Sequence, residues 1–121
     1  MIEILAPFLL LASAPGEVCQ QMSVHDGDTI RCGDERIRLL EIEAPELKGS
    51  PRCRRPKPRD WCDDALAQES RDALADFLST GPVLVHRDGR DFYGRTLAHL
   101  SVNGQDAGAY LISIGLAREY R

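Results

Sequence analysis

The sequence predicts a mainly β fold with helices (α+β), a small five-stranded Greek-key barrel. Three observations predict it. Five short runs have strand character and are bounded by Gly, Pro and Asn turn signals. One long amphipathic helical pattern lies between the third and fourth runs, and a short one follows the fifth. A length of 121 residues with 43% hydrophobic composition suits one domain with a modest core and argues against disorder. Aromatic residues are few, so aliphatic side chains must fill most of that core.

The elements follow in order. Residues 1–16 hold an apolar run from Ile4 to Ala14. It is too short to span a bilayer and suits the h-region of a signal peptide, with Ala12-Ser13-Ala14 as an A-x-A cleavage site. No Lys or Arg precedes the run and Pro15 follows the cut, so a disordered tail or a first strand is the competing reading. A single domain is expected over residues 17–121, without internal repeats.

Residues 18–25 and 29–32 read as strands around an Asp26-Gly27-Asp28 turn, and "GDE" at 33–35 is a second turn. Residues 36–43, "RIRLLEIE", form the third strand, and its apolar parity shifts from Ile37 and Leu39 to Leu40 and Ile42. A β-bulge near Leu39-Leu40 would restore one apolar face and bring Arg38, Glu41 and Glu43 together on the other. Pro45 ends this strand, and a Pro-rich basic loop runs through about residue 59.

Residues 60–81 are helical. Leu66, Ala73, Leu74, Phe77 and Leu78 recur at helical spacing, Trp61 lies one turn before Ala65, and Asp60, Asp63 and Asp64 suit the positive end of the helix dipole. Gly81 and Pro82 stop it. Residues 83–87 form a strand, "DGRD" at 88–91 a loop, and 96–102 a strand turned by Asn103-Gly104. A short helix over about 106–114 ends at Gly115. This order suits a closed barrel of the oligonucleotide/oligosaccharide-binding kind, with helices packed outside.

A net charge of −4 gives no global sign of nucleic-acid binding. The distribution says more. Lys48, Arg52, Arg54, Arg55, Lys57 and Arg59 put six of fifteen basic residues within positions 48–59, with no acid among them. Such a loop can bind polyanions although the whole chain is acidic; a solvated charge run is the alternative. Four cysteines allow three pairings and lack the CxxC spacing of a zinc site. Cys19 and Cys32 flank the opening hairpin and Cys53 and Cys62 bracket the basic loop, so these are the expected disulfides, with buried free thiols as the alternative. His25, His86 and His99 fall where strands are expected, show no ligand spacing and read as structural.

Asp26 and Asp28 place two like charges at one turn, which is unfavourable unless a cation or water takes up the charge. Most Asp-Gly pairs are turn formers only. Here three stretches stand in order: "DGDT" (26–29), "RLLEIEAPE" (38–46) and "DFYGR" (91–95), with "GLA" following at 115–117. With these motifs and their spacing the chain, over about residues 18–118, resembles the staphylococcal nuclease (thermonuclease) family.

The resemblance implies a five-stranded barrel and a calcium-dependent nuclease acting on DNA and RNA, single strands preferred, leaving 3′-phosphate ends. It implies Ca²⁺ held by Asp28, Glu43 and the backbone carbonyl of Ala44, with Asp26 in the outer shell. It implies Glu46 as general base, and Arg38 and Arg95 as paired clamps on the phosphate, where a guanidinium holds two oxygens at once. Tyr93 and the loop cations Lys48, Arg52, Arg54, Arg55, Lys57 and Arg59 would contact the nucleic acid, and Tyr120 would reach the nucleotide pocket. Surface ion pairing with Glu41 or Asp91 is the plain alternative for the two arginines, a solvated loop acid for Glu46 and packing for Tyr93; Thr29, beside Asp28, reads as a strand residue. A secreted or periplasmic monomer with no membrane segment in its mature form is expected.

Two departures stand out. The family usually has aspartate where Glu43 stands, so the longer side chain must retract or the ion must shift; calcium tolerates irregular geometry better than magnesium. The chain stops at Arg121, whereas the best-known members continue into another helix; two disulfides, each typically worth about 2–4 kcal/mol, would offset part of the lost packing. Two other functions compete: the same barrel binding single-stranded nucleic acid without cutting it, and a disulfide-stapled calcium-binding structural protein.

Overall fold

The computed structural model describes residues 16–54 and 60–120. They form β1 (Glu17–Val18), β2 (Met22–Asp26), β3 (Thr29–Cys32), β4 (Glu35–Leu39), β5 (Ile42–Glu43), a 3-10 turn (Pro51–Cys53), α1 (Asp64–Leu78), β6 (Val83–Arg90), β7 (Thr96–Val102), β8 (Gln105–Asp106), α2 (Ala107–Ser113) and β9 (Arg118–Glu119). The signal-peptide reading and the loop cations Arg55, Lys57 and Arg59 lie outside the described residues.

The strands are more numerous than the five expected. The first expected strand breaks at Gln21, whose φ of 51° no strand residue adopts, and so divides into β1 and β2. The third breaks at Leu40-Glu41, where Glu41 has φ 66°. The parity shift is therefore made by a two-residue turn rather than by a bulge in a continuous strand. Its effect on the core is the one anticipated: Ile37, Leu39 and Ile42 are all buried while Leu40 stays half-buried. Residues 88–90, expected as loop, extend β6 through an irregularity between Arg87 and Arg90 at which Gly89 takes φ 84°. Asn103 and Gly104, with φ 51° and 80°, make the expected tight turn, and it leads into β8.

The main sheet has the order β1-β6-β7-β4-β3-β2, with β8 also on β7; β5 and β9 form a separate ribbon. Among the described residues no ladder joins β1 to β2, so the sheet is a half-barrel. Cys19 bridges the gap. Its N–H donates to Val83 O at 2.8 Å, and its sulfur is bonded to Cys32 at the end of β3. β7, and β6 from Val83 to His86, alternate buried and half-buried residues, as a sheet with one covered face requires, and the rest of β6 is exposed.

The covered face meets α1. Asp63 caps this helix, its carboxylate accepting from Leu66 N, and Ala67, Ser70, Leu74, Phe77 and Leu78 turn inward. Leu66, expected among the inward residues, is only half-buried; Ala67 and Ser70 take that face. Leu74, Leu78, Ile30, Ile37, Leu100 and Leu111 form an aliphatic centre, and Phe77 stacks on Tyr110 of α2 at 4.7 Å.

Candidate active site

Three local devices bring the polar residues to one side of the half-barrel. The first is the β2–β3 hairpin. Gly27 lies against α1 and the strand-exit loop: a Cβ there would overlap Ser70 Oγ and sit 2.7 Å from Ala44 Cβ. Only glycine permits this approach. It presents Asp26 and Asp28 at the rim of the core, 9% and 5% exposed. Asp26 Oδ1 accepts from Asp28 N at 3.1 Å, and Asp28 Oδ2 accepts from Ala44 N at 2.9 Å.

The second device is strand register. Thr29 pairs with Arg38 in the antiparallel β3–β4 ladder, and Arg38 pairs with Leu97 in the parallel β4–β7 ladder. Arg95 precedes Leu97 by two residues and so faces the same side as Arg38. The third is the turn at 91–95. Asp91 Oδ1 accepts from Tyr93 N at 2.9 Å and Arg95 N at 2.8 Å, and its Oδ2 accepts from Arg95 Nε at 2.6 Å. Burial pushes the Asp91 carboxyl up, but the hydrogen bonds from Arg95 outweigh it and hold the group below the usual range.

A cavity of about 640 Å³ lies between these devices. Asp26, Asp28, Glu43 and Glu46 line it together with Arg38 and Arg95. Tyr93, Tyr120 and Arg52 line it too. Arg38 Nη1 sits 3.7 Å from Asp28 Oδ2 and donates to Leu39 O at 2.8 Å, and its guanidinium lies 5.7 Å from the centre of the Tyr120 ring. Arg95 keeps its ion pair with Asp91 and lies 5.8 Å from the centre of the Tyr93 ring. Glu41 joins Arg38 and Glu43 on the cavity wall, the grouping that the shift in strand parity anticipates.

Other expected residues stand elsewhere. Ala44 is buried and does not line the cavity; its N–H donates to Asp28 Oδ2. Lys48 and Arg54 do not line the cavity; Lys48 N donates to Asp64 Oδ1 and Arg54 Nη2 to Gly49 O. Arg52 pairs with Asp60 at 3.3 Å. Both expected disulfides are present, and the described residues contain no free cysteine.

Sequence reasoning misses several neighbours. Arg31, Arg36 and the almost fully exposed Phe92 also line the cavity, and Arg36 Nη2 holds the 91–95 turn through Tyr93 O at 2.8 Å. Arg118 Nε donates to Glu43 Oε1 at 2.9 Å. Ser50 Oγ donates to Glu46 Oε1 at 2.8 Å. His25 lines the cavity, His86 Nε2 lies 3.0 Å from Ser101 Oγ, and His99 sits between Glu41 and Asp106 at 3.3 Å from each.

Burial, and then the charge of Asp28 beside it, pushes the Asp26 carboxyl up to about 7. Asp26, Asp28, Glu43 and Glu46 offer the cavity carboxylate oxygens, the chemistry of a hard ion such as calcium, and His25 stands on the same wall. Among the described residues no three His, Cys, Asp or Glu side chains are grouped tightly enough to form a finished cage. Glu43 is turned to Arg118 and Glu46 to Ser50, so the donor set fits a hard cation in kind, with these two carboxylates otherwise engaged.

Comparison with known proteins bears on this geometry. The family model described as "Staphylococcal nuclease homologue" matches residues 36–121, which includes Arg38, Glu43, Glu46 and Arg95 but not the Asp26/Asp28 hairpin. A Haemophilus influenzae protein described as an uncharacterized endonuclease is 28% identical over 128 residues, covering 100% of this chain and 64% of that protein. The succinoglycan biosynthesis protein ExoI of Rhizobium meliloti is 35% identical over 108 residues, covering 88% of this chain and 54% of that protein. The chain thus spans less than two thirds of the length of either relative. With the mixed half-barrel, the two helices and a family match over most of its length, the chain belongs to the staphylococcal nuclease homologue family.

Proposed function

We propose that this protein is a calcium-dependent nuclease that hydrolyses phosphodiester bonds of DNA and RNA, single strands preferred, and leaves 3′-phosphate ends. One observation carries the reading: two guanidinium groups, Arg38 and Arg95, share a cavity with the carboxylates of Asp28, Glu43 and Glu46. Hydrolysis needs charge neutralised on the phosphoryl oxygens and a positioned, deprotonated water. Arg38 and Arg95 hold the phosphate and take up charge as it develops in the transition state. Glu46 accepts the proton of the attacking water. Asp28, Glu43 and the Ala44 carbonyl would hold calcium, with Asp26 in the outer shell; bound there, it would polarise the phosphate. Tyr93 and Arg52 line the path of the flanking chain, and Lys48, Arg54 and the remaining loop cations supply salt-sensitive phosphate contacts. The two disulfides fit an oxidising compartment, so we place the protein outside the cytoplasm, secreted or periplasmic, and acting as a monomer. Among the described residues no helix is long and apolar enough to cross a membrane.

A second reading is a nucleic-acid-binding module that does not cut. The ion pair of Glu43 with Arg118 favours it, because it occupies a metal-binding carboxylate. End analysis separates the two. Products of single-stranded DNA and RNA digested with calcium should resist polymerase extension until a phosphatase removes the 3′-phosphate, and Glu46→Gln and Arg95→Ala should abolish them. Tight binding with no new ends would establish the binding module instead.

A further inference from the structure

Glu46 is held from two sides by the two arms of one disulfide. On the main-chain side, Glu46 N donates to Trp61 O at 2.7 Å, and Glu46 forms an isolated bridge with Cys62. On the side-chain side, Ser50 Oγ donates to Glu46 Oε1 at 2.8 Å. Ser50 is itself fixed to the other arm. Its Oγ accepts from Arg52 N at 3.3 Å, and its carbonyl accepts from Cys53 N at 2.9 Å, so it caps the turn that carries Cys53. Cys53 and Cys62 are bonded, with Cα atoms 5.8 Å apart. The contacts close a ring: Glu46, Ser50, Cys53, Cys62 and back to Glu46.

Neither arm belongs to a long regular element. Ser50 precedes a single 3-10 turn, and Cys62 lies just before the helix cap. Besides the bonds at Glu46 itself, the ties between the two arms among the described residues are side-chain contacts, Arg52 with Asp60 at 3.3 Å and Lys48 N donating to Asp64 Oδ1 at 2.6 Å, so without the covalent link Ser50 would be a less fixed donor to the carboxylate. A loop carboxylate has several rotamers to lose, and pre-paying that cost is what an outer partner of a reacting group does.

We propose that Ser50 and the Cys53–Cys62 disulfide act as a clamp that positions the Glu46 carboxylate. Both are positioning elements; neither lines the cavity. The proposal rests on the assignment of Glu46 as general base, and its test separates the two claims.

Wild type, Ser50→Ala, Ser50→Thr and the double variant Cys53→Ser/Cys62→Ser are compared, with Cys19→Ser/Cys32→Ser as a control for general destabilisation. Assays run well below each melting temperature. Ser50→Ala and the Cys53/Cys62 variant should lower kcat by roughly 10–100-fold while KM moves less than about twofold, as for other outer partners of a reacting group. Ser50→Thr keeps the hydroxyl and should restore kcat. Amide hydrogen exchange at Glu46 should quicken in the Cys53/Cys62 variant while exchange at Leu100 stays slow; the Cys19/Cys32 control should leave Glu46 exchange as in wild type. Unchanged kcat in both clamp variants, with an active wild type, overturns the clamp and leaves the nuclease. If wild type does not cleave, the assignment of Glu46 fails by itself, and unchanged Glu46 exchange in the Cys53/Cys62 variant then overturns the clamp as well.

Discussion

Arg118 Nε donates to Glu43 Oε1 at 2.9 Å, within one of the two residue pairs that set the β5–β9 register. The same guanidinium lies 4.7 Å from the centre of the Trp61 ring. A cation supplied by the chain therefore rests on a carboxylate that would hold calcium under the proposed function. Two unit charges a few ångströms apart in a hydrated setting interact by about 1 kcal/mol, which is about fivefold in affinity. Arg118→Gln should tighten calcium binding by that factor, read by isothermal calorimetry. An unchanged Kd would mean that Glu43 takes no part in holding the ion.

Glu43→Asp tests the same carboxylate by length. Aspartate withdraws the charge by one methylene, away from Arg118 and toward the geometry usual in the family. Calcium-dependent turnover should rise, measured as initial rate on single-stranded DNA at saturating calcium. A lower or equal rate would show that the cavity has adapted to glutamate.

Gly27→Ala should destabilise the fold. The added methyl would overlap Ser70 Oγ and press on Ala44 Cβ, which is backbone-fixed. Overpacking of this kind costs about 1–3 kcal/mol. Urea unfolding should show a lower midpoint with an unchanged slope. The Asp28 carboxylate shares this seam, through Ala44 N, so activity should fall more than stability does.

Glu35 gives the fold a defined acid sensitivity. Its carboxylate accepts from Arg87 Nε at 2.8 Å and Nη2 at 2.7 Å, and from Thr96 Oγ1 at 2.7 Å. The bonds from Arg87, opposed in part by burial, bring its pKa down to about 2 from an ordinary value of 4.5. A lowered carboxylate pKa contributes stability that is complete above 4.5 and is lost as pH falls through about 2. The pair is part exposed, so screening holds its worth to about 1 kcal/mol or less. Thermal melts should show Glu35→Gln less stable than wild type at pH 7, with the gap closing as pH falls below 4.5 toward 2. A gap that persists at low pH would assign the loss to packing instead.

The parts of this site legible in the sequence are those that local geometry governs. Asp26 and Asp28 flank a turn glycine, and Arg38, Glu43 and Glu46 sit at short fixed offsets, so one hairpin and one strand exit bring them together. The parity shift at Leu39-Leu40 was readable as a register change, yet its form as a turn with Glu41 at φ 66° was not, because bulge and break satisfy the same apolar pattern. Arg118 left no signal. It reaches Glu43 across 75 residues through two-residue strands too short to show a period. Ser50 was hidden for a related reason: a serine before proline in a basic loop looks like a turn residue, and only the fold aims its hydroxyl at Glu46.

The proposed chemistry is hydrolysis of phosphodiesters by the carboxylates and two guanidinium groups around one cavity, with a hard cation. Cleavage of a fluorescent single-stranded oligonucleotide by purified protein, titrated with calcium and then with excess chelator, tests it most directly. Cleavage should appear with calcium, be weaker with magnesium, and stop on chelation. Cleavage that continues unchanged in chelator would contradict that chemistry.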